Sequence, residues 1–197
     1  MKLSTLFSLV AMAATLAACG GGGGTAAPAG SPAPATGNTG ANAYVGSWAF
    51  PCQLSDEIKI GTAPAYVAFG LRNIAASNAS TFAGQGQEQI FDNAQCSGAA
   101  KATHNWSISF AIAGTIDAKG KLADKVTVTE GAVGGGLSAV GTVTLNGITY
   151  PGNYFTRTSV SKDLLRVEGT QLFAGTDVLD AMGFPTEIDP APIATKL

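Results

Sequence analysis

Residues 104–112 read His104-Asn105-Trp106-Ser107-Ile108-Ser109-Phe110-Ala111-Ile112. Successive side chains of an extended chain point to opposite sides, so His104, Trp106, Ile108, Phe110 and Ile112 share one face while Asn105, Ser107, Ser109 and Ala111 share the other. This is the pattern of a half-buried strand. Val67, Phe69 and Leu71 alternate in the same way with Tyr66, Ala68, Gly70 and Arg72, and Lys125 to Thr129 alternates valine with polar residues.

Punctuation between these runs has the chemistry of hairpins. Ala139 to Leu145 and Ile148 to Tyr154 flank Asn146-Gly147, a dipeptide that tolerates positive φ at both positions and so favours a two-residue turn. Pro151 in the second arm points to an edge or a bulge, since proline has no N–H for a ladder. Ala118-Lys119-Gly120-Lys121 reads as a second hairpin turn. Further strands are expected near 44–51, 79–91 and 163–173, with Gly169 at a turn in the last stretch. One segment reads as helical: Thr176 to Met182, with Thr176 as N-cap, Asp177 at the positive end of the dipole and Gly183-Phe184-Pro185 as the stop. The fold class is therefore all-β, an antiparallel up-and-down barrel or a sandwich of about eight strands with a short C-terminal helical turn.

Composition narrows the function classes. Of 197 residues only 12% are charged, and 26 are glycine. The isoelectric point is near 5.3 and the mean hydropathy is +0.23. No basic stripe suits phosphate neutralisation, so nucleic acid is not an expected partner. No apolar run reaches the roughly 20 residues that span a bilayer.

The N-terminus is an address. Lys2 is followed by an apolar stretch from Leu3 to Ala14 and then by Leu16-Ala17-Ala18-Cys19, the layout of a secretory signal peptide over residues 1–18. Leu16-Ala17-Ala18-Cys19 resembles the lipobox of bacterial lipoproteins. The resemblance implies cleavage before Cys19 and lipidation of that residue, with diacylglycerol on sulfur and a further acyl chain such as palmitate on the amine. Such a set of chains exceeds what stable membrane anchoring needs. Gly20, rather than aspartate, follows the cysteine, which resembles lipoproteins sorted to the outer membrane. The expected location is the cell envelope, anchored by lipid to the outer membrane on its periplasmic or surface face. The stretch Asp180 to Asp189 also resembles the endings of small proteobacterial lipoproteins.

Residues 19–43 hold eight glycines, seven alanines, three prolines and no charge. With nothing large and apolar to bury, they read as a flexible tether with a reach of roughly 25–30 Å. Residues 44–197 are one domain by size. In an oxidising compartment Cys52 and Cys96 read as a disulfide, and closing so long a loop is worth on the order of 4 kcal/mol.

Tyr44-Val45-Gly46-Ser47-Trp48 resembles the Gly-x-Trp opening of calycins, the superfamily of lipocalins and avidins. That resemblance implies a barrel whose tryptophan, Trp48, closes one end under a basic residue of the last strand. Arg166 is the expected partner in this barrel-closing pair, through a cation–π contact.

Catalytic sets are missing from the sequence. His104 is the one histidine, and it is in phase with Trp106 as a core-face residue at a strand end. Gly136-Leu137-Ser138-Ala139-Val140-Gly141 misses the spacing of a nucleophile elbow by one residue. One histidine and a disulfide cannot supply the three or four ligands of a zinc site. Gly134-Gly135-Gly136 precedes a strand rather than a helix, so it reads as a hairpin loop and not a phosphate cradle. Asp177, Asp180, Glu187 and Asp189 do not follow a calcium-loop spacing and read as caps and solvated charge. No metal or cofactor is implied, and the one enzyme reading left open is a hydrolase whose site is assembled from residues distant in sequence, such as carboxylates brought together by strand pairing. The expected function is a lipid-anchored barrel module binding a small apolar ligand, with Trp48, Phe69, Trp106 and Phe110 as ligand-contacting residues. The alternative is an assembly or interaction lipoprotein that meets an envelope protein through its surface without a pocket.

Overall fold

The computed structural model describes residues 38–197 apart from 135, 136 and 138. The expected signal peptide, the expected lipobox with Cys19 and most of the expected tether therefore lie outside the described residues, as do parts of the glycine loop at 134–136 and Ser138.

Eleven strands follow one another: β1 (Gly46–Ala49), β2 (Gln53–Ile60), β3 (Ala63–Ala76), β4 (Thr81–Phe91), β5 (Ala102–Asp117), β6 (Leu122–Glu130), β7 (Thr142–Leu145), β8 (Ile148–Pro151), β9 (Ser159–Glu168), β10 (Gln171–Phe173) and β11 (Ala194–Lys196). Their order in the sheet is β1-β11-β10-β9-β6-β5-β4-β3, and β3 pairs back to β1. Eight strands thus close an antiparallel barrel, and the sandwich alternative is set aside. The short β1 makes the closure, with Trp48 opposite Lys196 on one side and opposite Leu71 on the other.

The turns follow the expected chemistry. Asn146 and Gly147 have φ of 50° and 78° between β7 and β8, and Lys119 and Gly120 have 58° and 84° between β5 and β6. Gly169, at φ 58°, turns β9 into β10. Pro151 ends β8 beyond the last residue that β8 pairs with β2, so its missing N–H leaves no gap in that ladder.

β3 is long enough to serve two neighbours. Its first half pairs with β2 and its second half with β1. The sheet therefore continues past the ring as β2-β8-β7, a flap beside the barrel mouth. Two cores result. In the first, inside the barrel, Tyr44, Phe82 and Phe110 stack with ring centroids 4.6 and 4.5 Å apart, surrounded by Trp48, Val126, Val128, Leu165 and Leu172. In the second, under the flap, Ile58, Val67, Ile90, Ile148, Tyr150, Tyr154 and Phe155 pack together. The disulfide forms between Cys52, at the entry to β2, and Cys96, in the β4–β5 loop, with Cα atoms 5.6 Å apart.

Two expectations are corrected. Residues 38–43 were read as tether, yet Asn38 bridges Val167 and a 3-10 turn, Ala41–Tyr44, seats Ala41 in the barrel core. A small side chain suffices there because the anchoring is polar: fully buried Asp124 accepts from Gly40 N at 2.6 Å, Tyr44 Oη at 2.9 Å and Thr115 Oγ1 at 2.6 Å. Thr176 to Met182 is not helical. Gly175 bridges Ile188 and Leu179 bridges Pro185, folding the segment back on itself. Asp180 Oδ1 accepts from Met182 N and Phe184 N, while Oδ2 binds Lys125 Nζ at 2.6 Å. Aspartate here holds a turn by bonding its own backbone, which competes with helix formation.

Candidate functional site: a pocket in the barrel mouth

β4 builds the site. Its inward face reads Phe82, Gly84, Gly86, Glu88 and Ile90, so two positions without side chains lie between two large ones. The indole of Trp106, opposite on β5, fills the space where a Cβ of Gly86 would stand. Next to it, Glu88 faces Phe69 on β3 and His104 on β5. This puts a carboxylate at the seam between the barrel core and the flap core.

A pocket of about 80 Å³ opens there, between Phe50, Phe69, Leu71, Trp106, Ile108 and Val133. Its polar lining includes Gln53, Glu88, Glu130, Tyr154, Arg157 and Ser159. Glu88 is 3% exposed and Tyr154 1% exposed. Among the described residues, Glu88 Oε2, Tyr154 Oη and Gln53 Nε2 have no hydrogen-bond partner. All three belong to the same pocket, whereas buried polar groups are normally satisfied.

Burial pushes the Glu88 carboxyl up to about 7; the Arg157 guanidinium pulls the other way and Glu57 adds to the rise. Glu130 is already engaged, by Trp106 Nε1 at 3.3 Å and by Ser159 Oγ. Arg157 lies 3.6 Å from Glu57 and stands over the Tyr154 ring, its guanidinium carbon 5.2 Å from the centroid.

His104 stays structural. Its Nε2 lies 3.0 Å from Tyr150 Oη, and its ring meets Tyr150, Tyr154 and Phe155 edge-on. Burial lowers its basicity, and burial raises the Tyr150 phenol to about 12. Among the described residues no group of three or more His, Cys, Asp or Glu is arranged to hold a metal ion. The C-terminal acids serve the backbone and lysines: Glu187 pairs with Lys119, Asp180 with Lys125, and Asp189 accepts from Ala191 N.

The four aromatic residues expected at the ligand divide evenly. Phe69 and Trp106 line the pocket. Trp48 and Phe110 do not, because both are sealed in the filled barrel core. The barrel-closing pair also changes partners. Lys196 of β11 stands over Trp48 at 5.5 Å, while Arg166 stacks on Phe173 at 5.4 Å and pairs with Glu168 at 2.7 Å. The register explains the change, since β1 lies against β11 and Arg166 sits directly opposite Phe173 on β10. Sequence reading missed Glu88, Glu130 and Arg157. For Glu88 the signal was its phase with Phe82 and Ile90. Arg157 lies in an aperiodic loop that carries no comparable signal.

No family model, no curated protein and no solved structure matches the chain.

Proposed function

We propose that this chain is a lipid-anchored cell-envelope module whose barrel binds a small, largely apolar ligand in the mouth pocket. The observation that carries the reading is the coincidence of aromatic walls with three unpartnered polar atoms, Glu88 Oε2, Tyr154 Oη and Gln53 Nε2. An unmet buried polar group costs about 1–3 kcal/mol. A ligand that meets these atoms recovers that cost and contributes apolar burial as well. An apolar cavity of about 150 Å³ accommodates benzene, so this smaller pocket takes a compact group, with any remainder of the ligand in the opening.

The test is a thermal-unfolding titration of the full-length Cys19→Ser protein, which lacks the lipid acceptor, with toluene, benzyl alcohol and benzylamine. At least one probe is expected to raise the midpoint and change tryptophan emission, and Val133→Trp, which fills the pocket, is expected to abolish both responses. No response to any probe, or a response that survives Val133→Trp, overturns the reading.

One observation favours a second reading, an interaction lipoprotein without a ligand. Among the described residues β7 ends the sheet with one edge unpaired, and Thr142, Thr144 and Leu145 are exposed. Such an edge can accept a strand from a partner. Loss of a co-purifying envelope protein on Thr144→Pro, with the fold intact, is the result expected of that reading.

A further inference from the structure

The pocket has an uneven balance of charge. Its lining contains two carboxylates, Glu88 and Glu130, and one cation, Arg157. That cation is shared: Arg157 also pairs with Glu57 and stands over the Tyr154 ring, while its charge acts on Glu88. Glu130 is satisfied by neutral donors, Trp106 Nε1 and Ser159 Oγ, which leave its charge in place. Glu88 lines the cavity and is 3% exposed, and its Oε2 has no hydrogen-bond partner. A buried anion with an open acceptor calls for a positively charged donor, because desolvation makes a lone charge costly and a paired one tolerable. Around that acceptor stand Phe69, Trp106 and Tyr154, and aromatic rings attract cations through their quadrupoles.

We propose that the pocket selects a compact organic cation, an ammonium group on an apolar body, with the ammonium against Glu88 and the body among Phe69, Trp106 and Tyr154. This rests on the reading of the pocket as a ligand site and names the chemistry it prefers. The ammonium donates to Glu88 Oε2 and to the phenol oxygen of Tyr154, the two acceptors of the pocket without partners. A neutral alcohol of the same shape reaches the same place but leaves the charge uncompensated.

Ionisation supplies an independent signature. Empty, the Glu88 carboxyl titrates near 7, raised by burial and by Glu57 and lowered by Arg157. The other titratable groups around it are His104 opposite on β5, Tyr150 on β8, Tyr154 in the loop after β8 and Glu130 at the end of β6. A cation binds the ionised form, so its affinity rises with pH from 6 to 8 while the ligand amine stays protonated. The affinity of an alcohol does not rise over that range.

The experiment is calorimetric titration of full-length Cys19→Ser protein with benzylamine and benzyl alcohol at pH 6 and pH 8, repeated with Glu88→Gln. At pH 8 benzylamine is expected to bind at least tenfold more tightly than benzyl alcohol. Glu88→Gln is expected to remove that preference and the pH dependence of amine binding. Equal binding of amine and alcohol, or an amine preference that survives Glu88→Gln, overturns the cation proposal and leaves a ligand pocket. If neither compound binds, nor toluene, the pocket reading fails and the proposal fails with it. Glu88→Gln keeps the size of the side chain, and a parent-like tryptophan emission with a cooperative urea transition reports that the fold is intact.

Discussion

Gly86 and Trp106 face each other across β4 and β5, and the indole occupies the space in which any side chain at 86 would begin. The relationship is directional: the glycine gives the tryptophan a flat seat, and the seated ring becomes a wall of the pocket. Gly86→Ala should displace the ring and destabilise the protein by about 1–3 kcal/mol, the usual range for overpacking a filled site. Urea unfolding measures the loss, and a shifted tryptophan emission reports the moved ring. Unchanged stability together with unchanged emission would contradict the packing.

Glu88 makes stability depend on pH. Its carboxyl loses its proton near 4.5 when exposed and near 7 in the fold. Between those values the folded chain holds a proton that the unfolded chain releases, so stability falls as pH rises and levels off above 7. The shift corresponds to on the order of 3 kcal/mol. Asp163 acts in the same direction up to about 6, raised by burial against bonds from Leu164 N and Gly175 N. Glu88→Gln is accordingly expected to be more stable than the parent at pH 8, with a flatter profile between pH 5 and 8. Urea midpoints at the two pH values check this, and a parent protein that gains stability across the window would refute the assignment.

Asp124 and Tyr44 fasten the N-terminal segment to the barrel. Tyr44→Phe removes one donor from a buried carboxylate, and hydrogen bonds to charged groups are worth about 1.5–3 kcal/mol. Asp124→Ala orphans Gly40 N and the Thr115 hydroxyl and leaves the Tyr44 hydroxyl with the Leu165 carbonyl alone, so it is expected to cost more than Tyr44→Phe. Hydrogen exchange should also show faster exchange at Gly40 in the Asp124 variant than in Tyr44→Phe. Equal losses in both variants would show that Tyr44 is the only partner that matters.

The proposed anchor is tested by mass. A mature chain that begins at Cys19 and carries the mass of three acyl chains is expected, and Cys19→Ala should release the protein from the membrane fraction. An unmodified mature N-terminus would remove the lipoprotein reading while leaving the barrel and its pocket untouched.

Much of the barrel is legible in the sequence because strand pattern and turn chemistry are local. His104 to Ile112 shows its inward face directly, and Asn146-Gly147 and Gly169 mark their turns. Closure is not local. β1 is four residues long, and its partners β11 and β3 are identified only by pairing. The same limit explains the exchange of Arg166 for Lys196 over Trp48, since both are basic and only register distinguishes them. At the site, Phe69 and Trp106 could be picked out as aromatic residues on strand faces. Glu88 was hidden among glutamines at 85, 87 and 89, although its phase with Phe82 and Ile90 places it inside. The C-terminal turn was misread because Thr176, Asp177 and Gly183 are as well suited to successive tight turns as to a helix.

The ring is closed by one of the latest stretches of the chain, residues 194–196, against one of the earliest strands. During synthesis the barrel has no complete circumference until those residues have emerged. Before then β1 and β10 present open edges and the aromatic stack has no sealed wall. Cutting the chain ahead of Ala194 would leave a sheet with two exposed borders, prone to pairing with its own copies.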